Sequence, residues 1–154
     1  MNKFAFEKLL AIAIQKQTNG YLLYMDLNGF KAVNDQAGHQ VGDRILEQVT
    51  AKIRGQLRKD DPLARMGGDE FALFLADVSI ERATEVANNI RLALSKNQFT
   101  HELNHFDISI SVGISGLAEK PKSLHDLINQ ADEACYQSKT TNKVVVHQSM
   151  AQSA

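Results

Sequence analysis

The sequence predicts an α/β sandwich, with helices flanking a mostly antiparallel central sheet of five strands. Three observations carry that expectation. Tyr21-Leu22-Leu23-Tyr24-Met25 is a continuous apolar run, the pattern of a strand covered on both faces. Ile108, Ile110, Val112 and Ile114 alternate with Ser109, Ser111 and Gly113, which is strict period two. Between and around these strands lie stretches with helical spacing of their apolar residues. The resulting order is α-β-α-β-β-α-β-β-α-β.

Each element has its own signal. Phe6, Leu9, Leu10 and Ala13 mark an opening helix, which Asn19-Gly20 ends. The Tyr21–Met25 strand is expected to stop at Asp26. A second helix is predicted over 41–57, with Ile45, Val49 and Ile53 inward and Arg44, Glu47 and Lys52 outward. Leu63 to Met66 and Phe71 to Leu75 read as short strands joined through Gly67-Gly68, where glycine permits the positive φ of a tight hairpin. A helix over about 80–94 buries Ala83, Val86, Ala87, Ile90 and Leu94. The period-two strand is expected to be half-buried and paired with the segment near Phe99 to Phe106. Ser123 and Asp126 form an S-x-x-D start for the last helix, with Leu124, Leu127, Ile128, Ala131 and Cys135 as its buried stripe. Val144 to Val146 reads as a closing strand, and Pro62 and Pro121 as markers of turns.

The 154 residues suit one domain, with 44% hydrophobic and 23% charged residues. A formal net charge of −1 argues against broad attraction to nucleic acid, while leaving room for a small phosphate site. Cys135 is the only cysteine, which excludes an internal disulfide and fits a cytoplasmic setting. The apolar run Leu9 to Ile14 is far too short to span a bilayer, so no direct membrane contact is expected from this domain. That expectation is compatible with a membrane anchor elsewhere in a longer parent protein.

The chemistry starts at Asp26. A carboxylate directly after a buried strand sits at the sheet's end, where ligand crevices form. Asp26-Leu27-Asn28-Gly29-Phe30-Lys31 adds a glycine for close backbone approach and a cation. Asp26-x-Asn28 also opens like a calcium loop, but Phe30 and Lys31 occupy the wrong positions for one. Gly67-Gly68-Asp69-Glu70 puts two more carboxylates on a turn beside the Asp26 strand. Three acids brought together repel, and a magnesium ion with bound triphosphate would relieve that repulsion.

With these residues the sequence resembles the GGDEF diguanylate cyclases over about 2–146. The resemblance rests on Asp26-Leu27-Asn28-x-Phe30-Lys31-x-x-Asn34-Asp35, Gly38-His39-x-x-Gly42-Asp43, Gly67-Gly68-Asp69-Glu70-Phe71, Ser111-Val112-Gly113 and Ala131-Asp132-x-Ala134-x-Tyr136-x-x-Lys139. It implies the palm-like nucleotidyl cyclase fold and an enzyme that condenses two GTP into cyclic di-GMP, releasing pyrophosphate, at a homodimer interface. Asp26, the Leu27 carbonyl, Asp69 and Glu70 would hold Mg2+, with Mn2+ as an alternative ion, and Asp69 and Glu70 would be catalytic. Asn34 and Asp43 would recognise guanine. His39 has two open readings, as pocket lining or as a local hydrogen-bonding group at a helix terminus. Gly29, Phe30 and Lys31, the turn glycines Gly67 and Gly68, and Lys139 and Lys143 would surround the substrate, the two C-terminal lysines sharing a helix face if the helix reaches them.

Arg58 and Asp61 stand in an R-x-x-D pattern, with five residues separating Asp61 from Gly67, a spacing that in the family marks an inhibitory site for the product. The match departs at Asn28, where many relatives carry aspartate, and at Lys139-Thr140-Thr141-Asn142-Lys143-Val144, which replaces the usual Lys-x-x-Gly-Arg-Asn. Lys143 keeps the charge but loses the planar fork of arginine, implying weaker GTP binding or slower turnover. Of the family's N-terminal stretch only Asn2-Lys3 could remain, so the chain reads as one domain excised from a larger signalling protein. The alternative function is a regulatory module that binds GTP or cyclic di-GMP within a larger protein, for example one carrying an EAL domain.

Overall fold

Alternating apolar side chains on β1 (Gly20–Asn28) reach two separate cores, and this strand organises the molecule. A computed structural model describes residues 1–96, 99–117 and 123–147. Pro121, an expected turn marker, lies outside the described residues. The remaining elements, in chain order, are α1 (Lys3–Gln15), α2 (Phe30–Ala37), α3 (His39–Arg54), β2 (Leu63–Arg65), β3 (Glu70–Ala76), α4 (Ile80–Ser95), β4 (Phe99–His101), β5 (Asn104–Phe106), β6 (Ser109–Gly116), α5 (Leu124–Thr141) and β7 (Val145–Val146).

The sheet order is β2-β3-β1-β6-β7, antiparallel throughout except for β6 with β7. Leu23, Met25 and Leu27 face a core shared with Ile45, Val49 and Ile53 of α3 and Val86 and Ile90 of α4. Leu22 and Tyr24 face the other core, with Phe6 and Leu10 of α1 and Leu127 and Ala131 of α5. Burial on both faces explains why the run is continuously apolar. No helix among the described residues is long and apolar enough to cross a membrane.

The structure corrects several expectations. β1 does not stop at Asp26: β3 ends its pairing there, but β6 continues, pairing Leu27 with Ile110 and Asn28 with Ser109. Phe30 to Ala37 forms a helix that the sequence reading lacked, because only Phe30 and Val33 of its eight residues are buried. The expected 41–57 helix starts at His39 and ends at Arg54, followed by Gly55 as its C-cap. Gly38, at φ 89°, alone separates it from α2.

Phe99–His101 and Asn104–Phe106 pair with each other and not with β6, whose two edges are taken by β1 and β7. Nor is β6 half-buried: all but its first residue are buried. Its small residues face α5, which packs so closely that a Cβ on Gly113 would lie 2.1 Å from the Cys135 nitrogen and 2.3 Å from the Ala131 oxygen. Ser115 Oγ donates to the Leu127 carbonyl at 2.9 Å, and the Val112 N–H donates to Ser138 Oγ at 3.1 Å. Period two is therefore a size pattern here, large residues toward α4 and small ones under α5.

Because the atoms facing Gly113 are backbone, they cannot swing aside. Gly113→Ala should cost about 3 kcal/mol or more in urea unfolding, and an unchanged midpoint would show that α5 is not seated on this residue.

Candidate active site

Strand register brings the acidic residues to one end of the sheet. Asp26 and Glu70 are direct partners across β1 and β3, on the α1/α5 side, and the Leu27 N–H donates to the Asp69 carbonyl at 2.9 Å. The turn between β2 and β3 thus closes onto β1. Arg65 braces it, donating from Nε to the Gly67 carbonyl at 3.0 Å and from Nη2 to the Gly68 carbonyl at 2.9 Å.

The glycines serve a different purpose from the one expected. Neither Gly67 nor Gly68 has a positive φ. A Cβ on Gly67 would stand 3.0 Å from Glu70 Oε2, so that glycine makes room for a carboxylate, while nothing lies within 4 Å of a Cβ on Gly68. Positive φ occurs instead at Gly29 (88°), the N-cap of α2, where a Cβ would also meet the Asp107 carbonyl at 2.6 Å.

Two neighbours compensate the paired carboxylates. Lys139 of α5 forms an ion pair with Asp26, whose side chain is 19% exposed, and this hydrogen bond holds the ammonium above its ordinary pKa. Tyr24 donates its hydroxyl to Glu70 Oε2 at 3.1 Å. Among the described residues no group of three or more His, Cys, Asp or Glu side chains stands close enough to hold a metal ion. The donor chemistry nevertheless suits one: Asp26 already binds a cation, the lysine ammonium.

Asn34 and Asp43 lie on α2 and α3. Their helices meet at Gly42, where a Cβ would fall 1.9 Å from Asn34 Oδ1. Asp43, with Leu46, Glu47, Arg54, Arg65 and Phe71, lines a cavity of about 730 Å³ between α3 and the β2–β3 hairpin. Phe30 is buried, whereas Lys31 is exposed on the first turn of α2 and His39 is exposed as the first residue of α3. Lys143 does not share a face with Lys139. The helix ends at Thr141, and Asn142 caps it in the left-handed conformation (φ 56°, ψ 36°), held by Arg91 Nη2, which donates to its carbonyl at 2.6 Å and to its Oδ1 at 3.2 Å.

Arg58 and Asp61 close a turn on themselves. Asp61, a residue 6% exposed, accepts through its carboxylate from the Arg58 N–H at 2.8 Å and Nε at 3.1 Å, and Nη2 lies 3.0 Å away. Arg54 Nη1 ties the same segment by donating to the Asp61 carbonyl at 2.6 Å.

The family model described as the diguanylate cyclase, GGDEF domain, matches residues 1–144. The chain belongs to the GGDEF family. Among curated proteins it is similar to the probable diguanylate cyclase DgcE of Escherichia coli, 38% identical over 142 residues, or 90% of this chain and 13% of DgcE. It spans between 13% and 34% of the first curated relatives it matches. Among solved structures it is similar to the GGDEF domain of PA1120 (YfiN or TpbB) from Pseudomonas aeruginosa, at a TM-score of 0.87 and 30% identity, with 97% of each chain covered. The GGDEF domain of DgcB from Caulobacter crescentus, in complex with c-di-GMP, gives a TM-score of 0.85 at 29% identity, covering 96% of this chain and 91% of that one.

Within this GGDEF domain, sequence reasoning overlooked Tyr24, Arg65 and Arg91. Arg65 was detectable as a cation two residues before the glycine pair, and Tyr24 as a phenol in the interior of an apolar strand. Arg91 carried no signal, since its partner is 51 residues away.

Cys135 lies behind the acidic cluster and is 2% exposed. Burial, then the Asp26 charge, pushes its thiol up to about 12, so the fold disfavours the thiolate. This contribution to stability is complete below the unfolded thiol's pKa and is lost as pH rises toward about 12. Iodoacetamide at about pH 8 should leave Cys135 unmodified until the chain unfolds, because only an accessible thiolate alkylates. Mass spectrometry showing rapid modification of the native chain would contradict this packing.

Proposed function

We propose that this GGDEF domain is a diguanylate cyclase, joining two GTP molecules into cyclic di-GMP and releasing two pyrophosphates. The observation that carries the reading is the pairing of Asp26 with Glu70, with Asp69 hydrogen-bonded to β1 beside them. The Asp43-lined cavity and the c-di-GMP bound to the related DgcB domain support it.

Asp26, the Leu27 carbonyl, Asp69 and Glu70 would hold Mg2+ or Mn2+. When bound, such an ion lowers the pKa of the attacking hydroxyl and neutralises charge on the leaving pyrophosphate. Each domain would hold one GTP, and two copies would meet face to face. Each 3′-oxygen then forms a bond to the other nucleotide's α-phosphorus as the bond to pyrophosphate breaks. Asp69 would take the hydroxyl proton, with Glu70 beside it. Asn34 and Asp43 would select guanine, the carboxylate accepting from the ring N–H and the amino group, with His39 at the pocket's rim. Amides near Gly29 and Phe30, the open backbone at Gly67 and Gly68, and Lys31, Lys139 and Lys143 would meet the phosphates, Lys139 giving up its Asp26 partner.

A second reading, a regulatory module that binds nucleotide without synthesis, draws on Lys143 standing beyond the end of α5. Incubating the chain at high concentration with GTP and Mg2+, and following cyclic di-GMP and pyrophosphate, separates the two. Asp69→Ala and Glu70→Ala should each lower turnover at least about a hundredfold while leaving the unfolding transition in place. Near wild-type turnover in either variant would displace the site. Binding without product, even after forced dimerisation, would favour the regulatory module.

Arg58 would grip the product, with Asp61 fixing its guanidinium. Calorimetry with cyclic di-GMP should show Arg58→Ala binding at least about tenfold more weakly than wild type; equal affinity would remove the inhibitory site from this surface.

A further inference from the structure

Tyr24 is the one residue in the interior of β1 that brings a polar group to the acidic end of the sheet from inside the core. Its ring is packed in the apolar cluster with Phe6, Ala72, Leu127 and Ala131, and the residue is 9% exposed. A buried phenol must place its hydroxyl on a partner or lose the hydrogen bond it had in water. The geometry supplies one. Tyr24 and Asp26 lie on the same face of β1, and their cross-strand partners Ala72 and Glu70 lie on the same face of β3. The phenol therefore reaches along the diagonal to Glu70, ending 3.1 Å from Oε2. Ala72, directly opposite, is small enough to leave the ring that path.

The same oxygen is confined from the other side. Glu70 Oε2 sits where a side chain on Gly67 would crowd it, 3.0 Å from that position. One carboxylate oxygen is thus fixed between a hydroxyl donor and a glycine. A phenol hydroxyl carries one hydrogen, and in this contact the carboxylate accepts it.

We infer that Tyr24 is a positioning residue for Glu70, orienting its carboxylate so that the remaining oxygen meets a divalent cation. The inference rests on the proposed metal role of Glu70 and adds a residue that touches neither cation nor nucleotide. Hydrogen bonds of this kind behind a ligating carboxylate set both its direction and its affinity.

The test is calorimetric titration of Mn2+ into wild type, Tyr24→Phe, Glu70→Gln and the double variant. Phenylalanine keeps the ring, and thermal unfolding confirms that each variant is folded. Tyr24→Phe should weaken Mn2+ binding about tenfold and raise the Mn2+ concentration for half-maximal turnover in parallel. The KM for GTP at saturating Mn2+ should not move, which a general loosening of the site would not allow. In the Glu70→Gln background, Tyr24→Phe should add nothing. If Tyr24→Phe binds Mn2+ as tightly as wild type while Glu70→Gln binds weakly, the positioning role is overturned and the metal role of Glu70 stands. If Glu70→Gln itself binds like wild type, the metal role fails, and the inference with it.

Discussion

The approach of α5 to β6 at Gly113 sets the rest of the molecule. A helix normally rests on a sheet through its side chains, but here backbone meets backbone, and only a residue without Cβ allows it. The seat is sealed by groups that would otherwise be stranded: the Ser115 hydroxyl on the Leu127 carbonyl, and the Val112 N–H on Ser138. Ser138 then hands the chain directly to Lys139. The height and rotation of α5 that bring an ammonium onto Asp26 are thus consequences of one glycine at the middle of the adjacent strand.

That arrangement answers how a small sheet tolerates acids at one end. Asp26 and Glu70 are neighbours across a ladder, a placement that costs energy for like charges. Each is relieved separately, Asp26 by an ion pair from α5 and Glu70 by a hydroxyl from within β1. The charges are held apart in their partnerships although they are adjacent in the sheet.

The helices with continuous apolar stripes, the twice-covered strand and the Gly-Gly-Asp-Glu turn were all legible in the sequence, because burial writes a period that survives without coordinates. What failed to show has equally physical reasons. The helix Phe30 to Ala37 buries too little to display a stripe. The serines and glycine of β6 looked like a solvent face, since a small residue under a close helix and a polar residue in water share one alphabet. The shared face of Lys139 and Lys143 depended on a helix that continued past Thr141, and Asn142 turns the chain before Lys143. Of the site, the identity of the acids was readable and their partners were not, since Tyr24 and Lys139 reach Glu70 and Asp26 across the fold.

That turn has a mechanical meaning. A left-handed residue after a helix is most often glycine, a swivel with little restoring force. Here it is asparagine, gripped at its carbonyl and its side chain by an arginine from α4. The corner is a clamp in place of a swivel. The segment leading from α5 to β7 therefore cannot shift without tugging on α4, and the two helices on opposite faces of the sheet are linked around its edge as one rigid frame.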